Sequence, residues 1–97
     1  MTLQPVVYIL ASRKDGTLYA GVTSNSIKRI HEHKHNVVEG FTKEYAVHNL
    51  VYYELHESME EAIKKEKKLK KWNRQWKIDL IEKDNPEWKD LYLDILQ

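Results

Sequence analysis

Residues 6 to 23 read VVYILASRKDGTLYAGVT. Two apolar runs, rich in β-branched and aromatic side chains, flank a polar connection containing Asp15-Gly16. Runs of that kind suit a pleated, half-buried surface, and Asp-Gly supplies the backbone angles of a tight turn. The stretch specifies a β-hairpin, Val6 to Ala11 against Leu18 to Val22. Each strand carries a tyrosine, Tyr8 and Tyr19. With an even-numbered connection and no bulge, paired positions have opposite parity, so Tyr8, Leu10, Tyr19 and Gly21 fall on one face. Gly21 weakens a strand and is sensible where a backbone or a ligand comes close.

The remaining elements follow from local signals. Thr23, Ser24 and Asn25 offer caps for a helix from about Ser26 to Asn36. Asn49 to Leu55, NLVYYEL, reads as a third strand. Ser58 with Glu61 three residues on forms a capping box for a helix that ends near Trp72 or Asn73. A further helix covers Arg74 to Glu82, and Asn85 followed by Pro86 marks the start of a last short one. The order is β-β-α-β-α-α-α. The expected fold is α+β, a small, mainly antiparallel three-stranded sheet flanked by helices, in a single domain over residues 1–97.

Composition narrows the class. Cysteine is absent, which removes disulfides and thiolate metal ligands. The N-terminal stretch has no basic region ahead of its short apolar run, so it does not read as a secretory signal, and nothing approaches the length of a membrane span. A cytoplasmic, non-membrane protein is the expectation. The formal net charge of +1 is uninformative, but its distribution is not. Lys64, Lys65, Lys67, Lys68, Lys70, Lys71, Arg74 and Lys77 surround a single acid, Glu66, and an acidic stretch follows from Asp79 to Asp94. A basic stripe is a footprint for nucleic acid, and equally the pattern of a solvated helix face. The acidic stretch could shield it.

Glu66 is the sharpest local signal. The spacing Ala62, Glu66, Leu69, Asn73, Trp76, Leu80 is that of a core-facing stripe, with Lys64, Lys65, Lys67 and Lys68 directed toward water. A carboxylate in an inward slot must be paired, neutralised or bound to a cation. An ion pair, for example with Arg29, satisfies this as well as a metal does. Arg29 and His33 stand at i and i+4 on the first helix, where an arginine can grip a phosphate and a histidine can carry a proton. His31, His33 and His35 would share one zinc ion only on a strand, since alternate residues of a helix point apart. Trp72, Trp76 and Trp88 read as core, His48 and His56 as surface, and Phe41 and Tyr45 as packing.

Together these residues resemble the GIY-YIG nuclease family. Its two name-giving motifs correspond to VVY, residues 6 to 8, and YAG, residues 19 to 21, with ten residues between them. The first motif lacks its glycine and both have a changed middle residue. Arg29, His33 and Glu66 match the polar positions that follow in family members. The chain is most similar to the small single-domain bacterial members of the UPF0213 type, which share the endings at Trp72 to Arg74 and Asn85 to Leu91. An asparagine that many relatives carry past the glutamate has no counterpart in KID, residues 77 to 79.

The resemblance implies a metal-dependent DNA endonuclease with a place in DNA repair or recombination. Glu66 would hold a divalent cation, magnesium with manganese as substitute, that stabilises the leaving oxygen. Arg29 would steady charge on the phosphoryl oxygens, Tyr8 would help take the proton from water, and Tyr19 and His33 would position that step. Gly21, Lys64, Lys67, Lys68 and Lys71 are the expected DNA contacts. Such small members lack a DNA-reading domain, so a protein partner that supplies targeting is compatible with the pattern. The alternative is a nucleic-acid-binding module with weak or no catalysis, whose binding would fall with salt and show no cleavage with magnesium.

Overall fold

In the computed structural model, residues 4–34 and 47–95 are described. Phe41 and Tyr45, expected to serve packing, the residue His35, and the side chain of His33 lie outside them. The described elements are β1 (Val6–Ala11), β2 (Leu18–Thr23), α1 (Ser26–Lys34), β3 (Asn49–Leu55), α2 (Met59–Lys71), α3 (Arg74–Asp84) and α4 (Tyr92–Ile95). The strands form one sheet in the order β2-β1-β3, with both pairings antiparallel. The architecture is α+β in the order that the sequence implies.

β1 is the central strand, and every one of its six residues is buried. Its alternation divides the core in two. On one face Val7, Ile9 and Ala11 pack with Ala62 and Leu69 of α2, Ile81 of α3, and Trp88. On the other, Val6, Tyr8 and Leu10 pack with Ile30 of α1, Val47 and Leu50, and Tyr92 and Ile95 of α4 border them. Ile30, Leu69 and Ile81 are each fully buried, so each long helix is pinned by one large aliphatic side chain. β1 and β3 pair with a register shift between Ile9 and Leu10, a bulge that re-aims the start of β3.

The caps at Asn25 and Ser58 act as the sequence implies, and Asn73, expected in the core-facing stripe, caps α3 instead. Asn25 Oδ1 accepts from Lys28 N at 3.3 Å, Ser58 Oγ from Glu61 N at 3.2 Å, and Asn73 Oδ1 from Trp76 N at 2.9 Å. The chain after α3 differs from expectation. Asn85 ends α3 instead of opening a helix, and it is buried. Its amide donates to Val51 O at 3.0 Å and Lys89 O at 2.9 Å, and its Oδ1 accepts from Lys89 N at 2.9 Å. Those bonds engage its side chain and tie the segment to β3. Trp88 takes a left-handed φ of 58° and donates from Nε1 to Glu82 at 2.7 Å. The last helix then opens at Tyr92, after Asp90.

Three smaller expectations are corrected. The α2 stripe does not run on into α3, because the break at Trp72–Asn73 resets the helical phase. Ile81 is the fully buried residue of α3, whereas Trp76 is 55% exposed. Lys65 is half-buried; it stands 3.5 Å from Glu54, with its ammonium 5.9 Å from the Trp72 ring centre. His56 is also half-buried, bonded to Glu54 at 2.8 Å. Within the acidic stretch, Asp90 also has a structural role that the charge pattern did not indicate: it accepts from Leu50 N at 3.1 Å and pairs with Lys34 of α1.

Candidate active site

The hairpin register places Tyr8 opposite Gly21 and Leu10 opposite Tyr19. The two tyrosines share a face of the sheet, as parity requires. The Tyr8 ring lies across Gly21 so closely that a Cβ there would overlap its hydroxyl and outer ring carbons. Close approach, not backbone strain, is therefore what makes position 21 a glycine.

Tyr8 is 2% exposed, and its phenol is pushed well above the usual tyrosine range. Burial is the main cause, because a phenolate there would lose its hydration. Tyr19 adds to the shift, as do Glu66 and Glu32, and Arg29 opposes it. Groups from β2, α1 and α2 thus act on one hydroxyl. Tyr8 is a neutral phenol over the whole neutral range, and so a hydrogen-bond donor.

Glu66 reaches this point from the flank of α2. Its side chain is 15% exposed, and Oε1 lies 3.5 Å from the ammonium of Lys70. That ammonium also stands 5.8 Å from the centre of the Tyr19 ring. Arg29, with its side chain 45% exposed, lies 3.8 Å from Glu32. Among the described residues, the ion-pair partner of Glu66 is therefore Lys70, and that of Arg29 is Glu32. His33 follows Arg29 by four residues on α1, so its backbone puts it on the same helix face. At 100° per residue, Lys70 lies about 40° from Glu66 and Lys67 about 100°, whereas Lys64 and Lys68 lie about 160° away. Lys64, Lys67, Lys68 and Lys71 are all exposed. Lys70 and Glu32 are additions that sequence reasoning passed over. The i+4 spacing from Glu66 and the i+3 spacing from Arg29 are the signals that point to them.

Among the described residues there is no group of three or more histidine, aspartate or glutamate side chains placed to hold a metal ion. A hard divalent cation needs less from protein, often one or two carboxylates with waters and substrate phosphate oxygens. Glu66, with its side chain 15% exposed, is a single carboxylate of the kind that pattern needs. Its exchange of Lys70 for a cation would be a local rearrangement.

A sheet with two tyrosines on one face of its first hairpin, followed by an arginine helix and a glutamate helix, defines a class. The family model described as the GIY-YIG catalytic domain matches residues 4–79. The chain belongs to the GIY-YIG family. Within it the chain is a small UPF0213-like protein. A UPF0213 protein of Staphylococcus saprophyticus is 37% identical over 75 residues, spanning 77% of this chain and 90% of that protein. A UPF0213 protein of Staphylococcus aureus is 36% identical over the same shares. The solution NMR structure of the UPF0213 protein from Bacillus halodurans is similar with a TM-score of 0.57 and 28% identity, covering 91% of this chain and 93% of that one. No helix among the described residues is long and apolar enough to cross a membrane.

Proposed function

We propose that this protein hydrolyses phosphodiester bonds in DNA as a metal-dependent endonuclease. The observation that supports the reading is that Tyr8 and Tyr19 share one face of the hairpin, with Arg29, Glu66 and Glu32 near enough to act electrostatically on the Tyr8 phenol. A phosphodiester is anionic, and its hydrolysis adds charge at the transition state, so the site must supply fixed positive charge and oriented donors. Arg29 is exposed enough to meet a phosphate, and its guanidinium can grip two phosphoryl oxygens at once. The neutral Tyr8 phenol donates its O–H to a phosphoryl oxygen, in place of the proton-accepting role that the sequence suggested. Tyr19 lies beside it on β2, and His33 is the group on α1 able to relay a proton near neutral pH. Glu66 would hold magnesium or manganese, and the bound ion supplies a Lewis acid for the scissile phosphate and its leaving oxygen.

Lys70 on Glu66 supports a second reading, binding without cleavage, because the ammonium already neutralises the carboxylate. One experiment separates the two. Purified protein is incubated with supercoiled, branched and single-stranded DNA, with magnesium or manganese, beside Glu66→Gln. The nuclease reading expects nicking that falls more than about a hundredfold in the variant, with metal-free DNA affinity held within about threefold. Equal cleavage by both proteins would refute the assignment of Glu66. Binding without cleavage by the parent would select the second reading.

A further inference from the structure

The tip of the hairpin is clamped to the start of α3. Arg74 donates from Nη2 to Asp15 O at 2.7 Å and to Gly16 O at 2.6 Å. The turn is also closed within itself by Gly16 N to Arg13 O at 2.9 Å, Ser12 N to Thr17 O at 3.0 Å and Thr17 N to Ser12 Oγ at 3.0 Å. The tip is thus a fixed platform. Two adjoining grooves flank it and share Thr17 and Arg74. One, about 360 Å³, adds Arg13, Asp15 and Gly16 to the lining, and the other, about 290 Å³, adds Leu18 and Lys77.

Leu18 precedes Tyr19 on β2, a strand at the edge of the sheet with β1 as its strand partner, and the two side chains pack on opposite faces of the sheet, so the groove and the tyrosine meet only around that edge. Lys70 sits over Tyr19 and against Glu66. Lys70 thus stands at the candidate active site, and Lys77, Arg74 and Arg13 line the grooves at the hairpin tip. Asp15 is the acid among the lining residues of these two grooves. From Tyr19 the chain passes through Leu18 and Thr17 to the turn at Gly16, so the tip lies three residues from the candidate active site along the edge of the sheet.

We infer that the outer edge of β2 and the clamped hairpin tip form a second, sequence-independent DNA-binding arm. It grips the sugar–phosphate backbone on one side of the bond to be cut, with Arg13 and Lys77 as its phosphate contacts. Arg74 is a positioning residue, since its guanidinium already holds the turn. The inference deepens the DNA reading of the site and rests on it. It places contacts at residues distinct from the solvent-facing lysines of α2.

The test measures binding of a short labelled duplex by fluorescence anisotropy, in the Glu66→Gln background, at several salt concentrations. Arg13→Gln and Lys77→Gln should each weaken binding about threefold or more near 50 mM salt and reduce the slope of log affinity against log salt by about 0.9. Asp15→Asn keeps a residue that tolerates the left-handed φ of 59° and removes the opposing charge, so it should tighten binding. Lys83→Gln and Lys89→Gln, outside the two grooves, should leave both quantities unchanged. Thermal melts verify that each variant is folded. If the Glu66→Gln parent binds DNA with a steep salt slope and neither Arg13→Gln nor Lys77→Gln alters it, the arm is wrong while the DNA reading stands. If that parent binds no DNA even at low salt, the DNA reading falls and the arm falls with it.

Discussion

Gly21→Ala tests the central geometric claim. The added methyl would occupy space held by Cζ, Cε2 and the hydroxyl of Tyr8, directly opposite on β1. Neither the strand nor the fully buried β1 can yield easily, so the ring must move off its rotamer. Overpacking of this kind costs about 1–3 kcal/mol. Alanine recovers about 0.5–1 kcal/mol over glycine in backbone entropy. The net loss is then about 1–2 kcal/mol, or a fall in Tm of about 5–15 °C for a chain of this size. The decisive comparison is a double-mutant cycle with Tyr8→Leu, because leucine lacks all three atoms that the methyl would meet. In that background Gly21→Ala should become neutral or stabilising, which gives a coupling of about 2 kcal/mol. The readout is thermal or urea unfolding of the four proteins, with nicking measured alongside. Equal destabilisation by Gly21→Ala in both backgrounds would refute the close approach and leave the glycine of YAG without this explanation.

Four further outcomes are expected. Asn85→Ala strands Val51 O and two groups of Lys89 and should cost about 2–4 kcal/mol, read as a Tm lower by at least about 10 °C. Trp76→Ala, at a position 55% exposed, should cost under about 1.5 kcal/mol in urea unfolding, well short of the 3–5 that a core tryptophan loses (about, by precedent). Glu54 concerns pH: burial raises its carboxyl, but hydrogen bonds from Tyr52 and His56 and the nearby Lys65 charge outweigh this and hold it below its ordinary value. A depressed carboxyl contributes stability above its unfolded pKa of about 4.3 and loses it as pH falls through the folded value. Tyr52→Phe should therefore move the acid-unfolding midpoint to higher pH, with about 1 kcal/mol lost at pH 7 after screening; an unmoved midpoint would sink the assignment. Asp90→Ala leaves the Leu50 amide and Lys34 without their carboxylate and should speed hydrogen exchange at Leu50 by at least about tenfold.

The linear order of residues determined the local parts. Alternating apolar strands around Asp15-Gly16 set the hairpin, and parity set Tyr8, Tyr19 and Gly21 on one face before any tertiary contact was known. Caps at Asn25 and Ser58 set two helix starts, because each is a bond between neighbours in the chain. What depends on distant partners was decided by the tertiary structure. Asn85 caps nothing ahead of it because Val51, 34 residues earlier, claims its amide. Trp76 faces solvent because the break after Trp72 turns α3 away from the stripe of α2. Lys70, not Arg29, meets Glu66, and Arg74 holds a turn 58 residues before it. Helical and strand periods repeat within a few residues and are legible in one dimension. The partner of a charged or polar side chain is chosen by packing among elements, and that choice exists only once the sheet and helices have closed on one another.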